Sequence, residues 1–352
     1  MQIGIIGLPN AGKSTIFNAL SRGNARVEKF PFTTIEPNIG KVAVPDERLS
    51  KLKNFLRVGE GIPVEIEFMD IAGLIEGASK GEGMGNQFLS QIQAVDLILH
   101  VVRGFDNPDI PYRKGDLDIK GDIDIIETEL ILRDLDILQN AVNKLKARED
   151  IPRKKLLAEV IERLQQGTPL REIPLKTEEQ QILTGYGLIT LKPVVYLINM
   201  GEDKKVEDFP CTSELIERNL PVLFLCGKIE EELSQLSDSE REEFKEIMGI
   251  QKSGLQKLIK VCYDMLSLIT FYTIARNKLH AWSLKKGASV VQAAEKIHSD
   301  MAKGFIKAEV INFEHLVGFN SYSEAKEKGR VRIAGKEYLV NDGDILYIHF
   351  RT

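Results

Sequence analysis

A glycine-rich segment near the start of the chain carries a lysine and a serine at fixed spacing. Residues 7–14 read G-L-P-N-A-G-K-S and fit the pattern G-x-x-x-x-G-K-[S/T]. An apolar run, Ile3 to Ile6, precedes the segment and a helical pattern follows it. In that context, backbone amides and the helix N-terminus cradle phosphates, the Lys13 ammonium reaches the β and γ oxygens, and the Ser14 hydroxyl ligates Mg²⁺. The segment therefore predicts a site for a magnesium nucleotide.

Two further segments lie where the phosphate-sensing switches of such proteins are found. Asp70-Ile71-Ala72-Gly73 ends the apolar run from Val64 to Met69. We expect the Asp70 carboxylate to hold Mg²⁺ through water and the Gly73 amide to contact the γ-phosphate. Thr33 and Thr34 follow the first helical pattern at the position of a first switch. The three segments together predict a switch-type nucleoside triphosphatase.

The segment Asn199-Met200-Gly201-Glu202 follows the apolar run from Val194 to Ile198. Guanine-specific proteins carry Asn-Lys-x-Asp there. Met200 removes the lysine stem that packs along the base, and the longer Glu202 misplaces the carboxylate that guanine needs. Adenine offers an amino donor that Asn199 or the Met200 carbonyl could accept, and the spacing leaves that choice open. The turn at Cys226 and Gly227 is also expected near the base.

The residue after the Asp-x-x-Gly element is Leu74, where small GTPases commonly have a glutamine that orients water. Because leucine cannot orient water, we expect the metal, Lys13 and the Gly73 backbone to supply most of the charge stabilisation, with slow intrinsic turnover. Glu82, in the glycine-rich stretch that follows, is a polar alternative for positioning the nucleophile, together with Glu76 and Asn86.

Short β-branched or leucine-rich runs with helical patterns between them predict strands that are buried on both faces of a mainly parallel sheet. The chain is therefore expected to be α/β, with a doubly wound nucleotide-binding sheet. The long interval after the run at Leu97 predicts an inserted helical hairpin, because Ile131, Leu135, Leu138, Val142 and Leu145 follow helical spacing. Short strands and one helix, Ser289 to Lys303, predict a small C-terminal module.

Composition excludes several classes of protein. The chain has 352 residues, a formal net charge of −5 and no apolar stretch long enough for a membrane span. Its start lacks the features of a signal peptide, so we expect a cytoplasmic protein with no membrane partner. The three cysteines are too few and too widely spaced for a disulfide framework or a zinc site. Residues 268–352 carry 13 Lys and Arg against 9 Asp and Glu, too small an excess to predict nucleic-acid binding, and no DNA partner is expected.

These segments together resemble the YchF subfamily of Obg-related P-loop proteins over essentially the whole chain. The resembling stretches are 7–15, 31–38 (P-F-T-T-I-E-P-N), 70–74 and 199–202, with an ending similar to the TGS β-grasp module. The resemblance implies a P-loop domain over 1–122 and 188–267, a helical hairpin domain over 123–187 and a TGS-like domain over 268–352. The site residues expected from the motifs and from the resemblance together fall into three sets. The nucleotide contacts are Asn10, Ala11, Gly12, Lys13, Ser14, Thr15, Asn199, Met200, Glu202, Cys226 and Gly227; the Mg²⁺ ligands are Ser14, Thr34 and, through water, Asp70; the catalytic candidates are Lys13, Gly73 and Glu82.

The resemblance also implies an ATPase that prefers ATP over GTP and associates with the 70S ribosome and its large subunit, with rRNA as a candidate contact. A monomer is the default expectation. Two function classes remain open: a hydrolase whose turnover drives a cycle in translation, or a nucleotide-gated ribosome- or RNA-binding protein with GTP as its ligand and hydrolysis only as a reset. Leu74 favours the second class.

Overall fold

The computed structural model describes residues 1–24, 27–28, 38–71, 84–107, 112, 117–145, 151–248 and 253–351. The chain divides into two compact units. The first consists of Met1–Val42 and Glu67–Leu258, and the second of Ala43–Ile66 and Ile259–Thr352.

The strands and helices take their names from their order along the chain. The strands are β1 Gln2–Ile6, β2 Val27–Glu28, β3 Asn38–Ala43, β4 Glu60–Ile62, β5 Glu65–Asp70, β6 Leu97–Gly104, β7 Val194–Met200, β8 Val222–Leu225, β9 Leu268–Ala275, β10 Lys278–Lys285, β11 Phe305–Asn312, β12 Arg332–Ala334 and β13 Asp344–Phe350. The helices are α1 Lys13–Asn24, α2 Glu47–Leu56, α3 Met84–Ala94, α4 Ile119–Lys144, α5 Ile151–Gln165, α6 Thr177–Thr184, α7 Ser213–Glu217, α8 Gly227–Gln235, α9 Asp238–Met248, α10 Gly254–Met265, α11 Val290–Ile297, α12 Ser299–Lys303, α13 Phe313–Leu316 and α14 Tyr322–Glu327.

The first unit is built on a seven-stranded sheet with the order β2-β3-β5-β1-β6-β7-β8. The pairs β1–β5, β1–β6, β6–β7 and β7–β8 are parallel, and β2 pairs antiparallel with β3 at one edge. Every residue of β6 is buried, as expected of a strand covered on both faces. The prediction of a mainly parallel, doubly wound sheet is confirmed. Ligands of such sheets bind at the carboxyl ends of the strands.

The insertion between β6 and β7 is helical, as predicted. The first half of α4 packs Ile123, Ile126 and Leu130 into the core of the sheet. The second half belongs to a separate apolar cluster with α5 and α6, which includes Leu138 and Leu157. The sequence pattern predicted only two helices here, and α6 was missed because its single buried residue leaves no helical period to detect.

Buried polar side chains tie this insertion to the sheet. The Asp134 carboxylate, which is fully buried, accepts hydrogen bonds from the amides of Ile189 and Thr190, at 2.8 and 2.7 Å, and from the Thr190 hydroxyl at 2.6 Å. Glu127, on α4, pairs with Arg171 and accepts a hydrogen bond from the Tyr196 hydroxyl at 2.8 Å. Because a buried charge is costly without partners, these contacts fix α4 against β7.

The second unit contains a six-stranded sheet with the order β12-β11-β13-β9-β10-β4. The strands β9 and β10 form an antiparallel hairpin, and α11 packs Val290, Ala293 and Ala294 on the sheet. The predicted C-terminal sheet module is therefore confirmed. The predicted single helix from Ser289 to Lys303 is wrong, because extended backbone at His298 (φ −163°, ψ 137°) separates α11 from α12.

Residues 43–66 belong to this second unit, whereas the sequence assigned all of 1–122 to the nucleotide-binding domain. The short strand β4 pairs in parallel with β10, and α2 carries Arg48, which bonds Asp342 at 2.6 Å. The division into three domains, with 123–187 as a separate one, stays a prediction. Within the described residues, no helix has both the length and the apolar character needed to cross a membrane.

Candidate nucleotide-binding site

The phosphate-binding segment, residues 7–14, follows β1 and includes the first two residues of α1. An added Cβ at Gly7 would lie 2.3 Å from the carbonyl oxygen of Val101, so the loop passes too close to β6 for any side chain. Asn10 and Gly12 have φ angles of 65° and 91°. Such left-handed backbone lets the loop turn tightly into the N-terminus of α1, and the Ala11 amide donates to the Leu8 carbonyl at 3.3 Å within it. The arrangement predicted from the sequence, strand then loop then helix, is present.

Lys13, Ser14 and Asp70 meet at the carboxyl ends of β1 and β5. The Ser14 hydroxyl donates a hydrogen bond to the Asp70 carboxylate at 3.1 Å. The Lys13 side chain is buried, and its ammonium donates to the carbonyl oxygen of Leu8 at 2.9 Å across the loop. Parallel pairing with Ile5 opposite Asp70 brings the carboxylate to the end of the strand that leads into the loop. Two of the predicted metal ligands and the predicted phosphate-binding lysine are therefore adjacent.

The ionisation of these groups follows from their burial. Burial lowers the pKa of Lys13, and the nearby Asp70 carboxylate opposes that shift. Burial raises the pKa of Asp70, while the Ser14 hydroxyl and the Lys13 ammonium act in the opposite direction. Each charge lacks part of its hydration, so a phosphate near Lys13 and a divalent cation near Asp70 would both gain from charge neutralisation.

Asn199, the first residue of the predicted base-reading segment, braces two loops. Its Nδ2 donates to the carbonyl oxygen of Ala11 at 3.1 Å, and its Oδ1 accepts from the amide of Gly227 at 2.9 Å. An added Cβ at Gly12 would lie 2.1 Å from the same Nδ2. The buried amide therefore joins the phosphate loop to the start of α8, a positioning role that the motif alone did not indicate.

Glu202, the last residue of the predicted base-reading segment, lies at the surface beside α8. Glu202 forms an ion pair with Lys228 at 2.7 Å, and both side chains are more than half exposed. Gly227 is buried. An added Cβ there would lie 2.9 Å from Ile16 and 3.0 Å from Asn199, so the position has no room for a side chain. Cys226 precedes α8 as its N-terminal cap residue. Met200 ends β7 with a partly buried side chain.

Phe105, which the sequence did not single out, lies beside both loops. Its ring atom Cε1 is 3.9 Å from the Cβ position of Gly12, and its Cβ is 3.7 Å from that of Gly201. Arg103 holds it in place, since its Nε donates to the Phe105 carbonyl at 3.1 Å and its guanidinium lies 4.8 Å from the ring centroid. An aromatic residue directly after the buried run of β6 was the available signal.

Comparison with known proteins gives matches over the whole chain. One family model, YchF-GTPase_C, described as a protein of unknown function, matches residues 268–351, and another, described as 50S ribosome-binding GTPase, matches residues 2–161. The "Ribosome-binding ATPase YchF" of Bacillus subtilis is 40% identical, with all of both chains aligned. The Haemophilus influenzae protein of that name is 41% identical over all of this chain and 99% of its own. The solved structure of the Schizosaccharomyces pombe YchF GTPase is 31% identical with a TM-score of 0.88, covering 99% of this chain and 97% of that one.

The chain belongs to the YchF family. Several residues singled out in the sequence lie outside the described residues, namely Thr34, Gly73, Leu74, Glu76 and Glu82. Asn86 lies in α3, but its side chain is outside the description. The roles of these residues stay predictions. Thr15, in the first turn of α1, is partly buried.

The oxygen ligands of this YchF-family site fit Mg²⁺. A serine hydroxyl and a carboxylate are hard donors, and they lie within 3.1 Å of each other. Within the described residues, no cluster of three His, Cys, Asp or Glu side chains could bind a metal ion by itself.

Proposed function

We propose that the chain is a Mg²⁺-dependent ATPase of the switch type that binds the ribosome and acts in translation or its regulation. The observation that carries this proposal is the contact between Ser14 and Asp70 beside the buried Lys13 ammonium. At the end of a parallel sheet, a hydroxyl and a carboxylate that suit a metal ion therefore lie beside a cation that suits a phosphate chain. The product pair is ADP and inorganic phosphate.

In this proposal Ser14 and Thr34 hold the metal and Asp70 holds it through water. When bound, Mg²⁺ neutralises charge on the phosphate oxygens. Lys13 contributes a cation that its buried position makes effective, and the Gly73 amide contributes a hydrogen-bond donor to the γ-phosphate. Glu82 is the candidate for positioning the attacking water, because Leu74 cannot do so. A slow intrinsic rate follows from the missing glutamine.

The preference for ATP over GTP is supported by two features of the base side of the site. The Glu202 carboxylate, which would have to accept from guanine, is paired with Lys228. The Phe105 ring, next to Gly12, offers a stacking surface that any purine can use. The base segment therefore offers guanine no free carboxylate, whereas stacking serves adenine equally well.

Ribosome binding is proposed from the family relation, since the bacterial relatives carry the name ribosome-binding ATPase. We infer binding to the 70S particle through its large subunit, with rRNA as a candidate contact and a cytoplasmic location. A monomer is proposed.

The alternative is a nucleotide-gated ribosome- or RNA-binding protein that uses GTP and hydrolyses it only to reset. The observation that favours it is Leu74 in the position of the water-orienting glutamine. The two proposals differ in whether hydrolysis is needed for repeated function or only for release.

A Lys13→Ala variant tests the proposed function. The control is Lys192→Ala, because Lys192 is a partly buried lysine of the same unit whose ammonium donates to the Val95 carbonyl. We expect Lys13→Ala to lose ATP hydrolysis and nucleotide-dependent cosedimentation with purified 70S ribosomes, while Lys192→Ala retains both. Cosedimentation that persists in Lys13→Ala without nucleotide would detach ribosome binding from the nucleotide cycle. Wild-type protein that never sediments with ribosomes would refute the ribosome-binding proposal.

A further inference from the structure

A groove of about 520 Å³ runs along the inserted helices, away from the residues of the nucleotide site. One wall is α5, which contributes Leu156 and Val160. The opposite wall is the extended segment after the Leu170–Glu172 turn, which contributes Ile173 and Leu175. Apolar side chains therefore line part of each wall, among polar ones.

Acidic side chains outnumber basic ones in the lining of the groove. The lining includes the carboxylates of Glu159, Glu162, Glu172 and Glu179 and the cation of Arg163. Outside the lining, the Lys155 ammonium lies 3.8 Å from the Glu159 carboxylate. Two of these carboxylates are fixed: Glu172 accepts from Arg218 Nε at 3.0 Å, and Glu179 accepts from the Lys176 amide at 2.9 Å. Glu159 and Glu162 are exposed and lie three residues apart on α5, so they share one face of the helix.

We propose that this groove binds a lysine- and arginine-rich segment of a ribosomal protein. Lysine and arginine combine an aliphatic stem, which the apolar side chains of the walls can cover, with a cationic end, which the carboxylates of Glu162 and Glu179 can pair. RNA is disfavoured because its phosphates would face these two carboxylates beside the Glu159–Lys155 and Glu172–Arg218 ion pairs. The choice of a ribosomal partner rests on the proposed ribosome binding, whereas the choice of a basic peptide rests on the groove alone.

Direct peptide binding tests the groove without ribosomes. The probe is a fluorescein-labelled nonapeptide of alternating lysine and leucine, with the corresponding glutamate–leucine peptide as the negative probe. The charge reversal Glu159→Lys with Glu162→Lys should weaken binding of the basic probe about tenfold in anisotropy titrations. The matched control, Glu178→Lys, changes an exposed glutamate of α6 that is outside the groove and should leave binding within about twofold.

Because charge reversal could perturb α5, the neutral variant Glu159→Gln with Glu162→Gln is measured as well. We expect an intermediate loss of binding, about threefold, with an unchanged thermal transition. Equal binding of the basic probe to wild type and both double variants would contradict the proposal. So would tighter binding of the acidic probe.

Photocrosslinking on the ribosome identifies the occupant. Benzoylphenylalanine is introduced at Gln166, which lines the groove, and at Gln180, an exposed residue of α6 outside it. The proposal predicts that the Gln166 variant crosslinks to a lysine- or arginine-rich segment of a ribosomal protein and that the Gln180 variant does not. A nuclease-sensitive adduct, a crosslinked dimer of this chain, or no groove adduct from a protein that sediments with ribosomes would overturn it. If the protein does not sediment at all, ribosome binding fails and the peptide titration alone decides the groove.

Discussion

The side-chain amide of Asn199 donates to the carbonyl oxygen of Ala11 at 3.1 Å and thereby joins β7 to the phosphate-binding loop. The same amide accepts from Gly227 at 2.9 Å, so three chain segments meet at one buried group. In a motif-based interpretation Asn199 reads the base. The geometry adds a brace that holds the loop before any base is recognised.

Replacement of Asn199 by alanine should weaken the binding of both adenine and guanine nucleotides. The variant leaves the Ala11 carbonyl and the Gly227 amide without their partner, a loss of about 2 kcal/mol, or roughly 30-fold in affinity. Calorimetric titration with ADP and GDP measures both, with Asn18→Ala as the control, since that amide makes only a 3.4 Å contact with Glu231. A loss confined to one base would assign Asn199 to base recognition alone.

Replacement of Asp70 by asparagine should raise the Mg²⁺ requirement. The amide can still accept the Ser14 hydrogen bond, but the negative charge is gone, so we expect the half-saturating Mg²⁺ concentration for nucleotide binding to rise about tenfold. Nucleotide affinity in EDTA should be nearly unchanged. Asp96→Asn is the control, because that carboxylate accepts from the Gln2 amide at the other end of β1. An unchanged Mg²⁺ dependence would remove Asp70 from the metal site.

The same carboxylate gives the Mg²⁺ affinity a pH dependence. Burial raises the pKa of Asp70, so its proton returns at a higher pH than for an ordinary aspartate. Mg²⁺ affinity should therefore fall as the pH is lowered through this raised pKa, and the fall should be absent in Asp70→Asn.

The phosphate loop was predictable because its residues are contiguous and each has one chemical role. Ser14 and Asp70 could be paired from the sequence since the loop that leads to Ser14 follows one apolar run of a parallel sheet and Asp70 ends another. Phe105 and the brace by Asn199 were not predictable, because each depends on which loops the fold brings together. That residues 43–66 belong to the second unit was not predictable either, because the strand β4 has only three residues and its partner β10 lies far along the chain.

The buried pair of Glu127 and Arg171 should be costly to break from one side. Arg171→Leu leaves a buried carboxylate with only the Tyr196 hydroxyl, and we expect the free energy of unfolding to fall by about 3–5 kcal/mol. The double variant Glu127→Leu, Arg171→Leu should recover much of that loss, because no unpaired charge remains. Urea denaturation measures both. Lys120→Leu, which breaks the exposed pair with Glu214 at 2.7 Å, should cause no measurable change. A double variant as unstable as the single one would contradict the argument.

His100 should make the fold sensitive to mild acid. It is buried on β6, its Nδ1 has no hydrogen-bond partner among the described residues, and burial lowers its pKa to about 4. As the pH falls below about 6.5, His100 becomes protonated in the unfolded chain but stays neutral in the folded chain. The free energy of unfolding therefore falls until about pH 4, where His100 is protonated in both states. Between pH 7 and pH 5 this group should remove about 2 kcal/mol.

The variant His100→Phe keeps an aromatic ring beside Tyr196, whose centroid is 5.5 Å from that of His100. It should lose that part of the pH dependence in denaturation curves recorded at the two pH values. A pH dependence identical to that of the wild type would show that another group is responsible.

The measurement that tests the central claim most directly is a competition titration of nucleotide-free protein with fluorescent ATP and GTP analogues, with and without Mg²⁺. The account predicts that unlabelled ATP displaces the probe at least about tenfold more effectively than GTP, a difference of about 1.4 kcal/mol, and that Mg²⁺ strengthens both. GTP winning by that margin would contradict the claim that Asn199 to Glu202 no longer selects guanine. It would return the chain to the GTP-binding alternative.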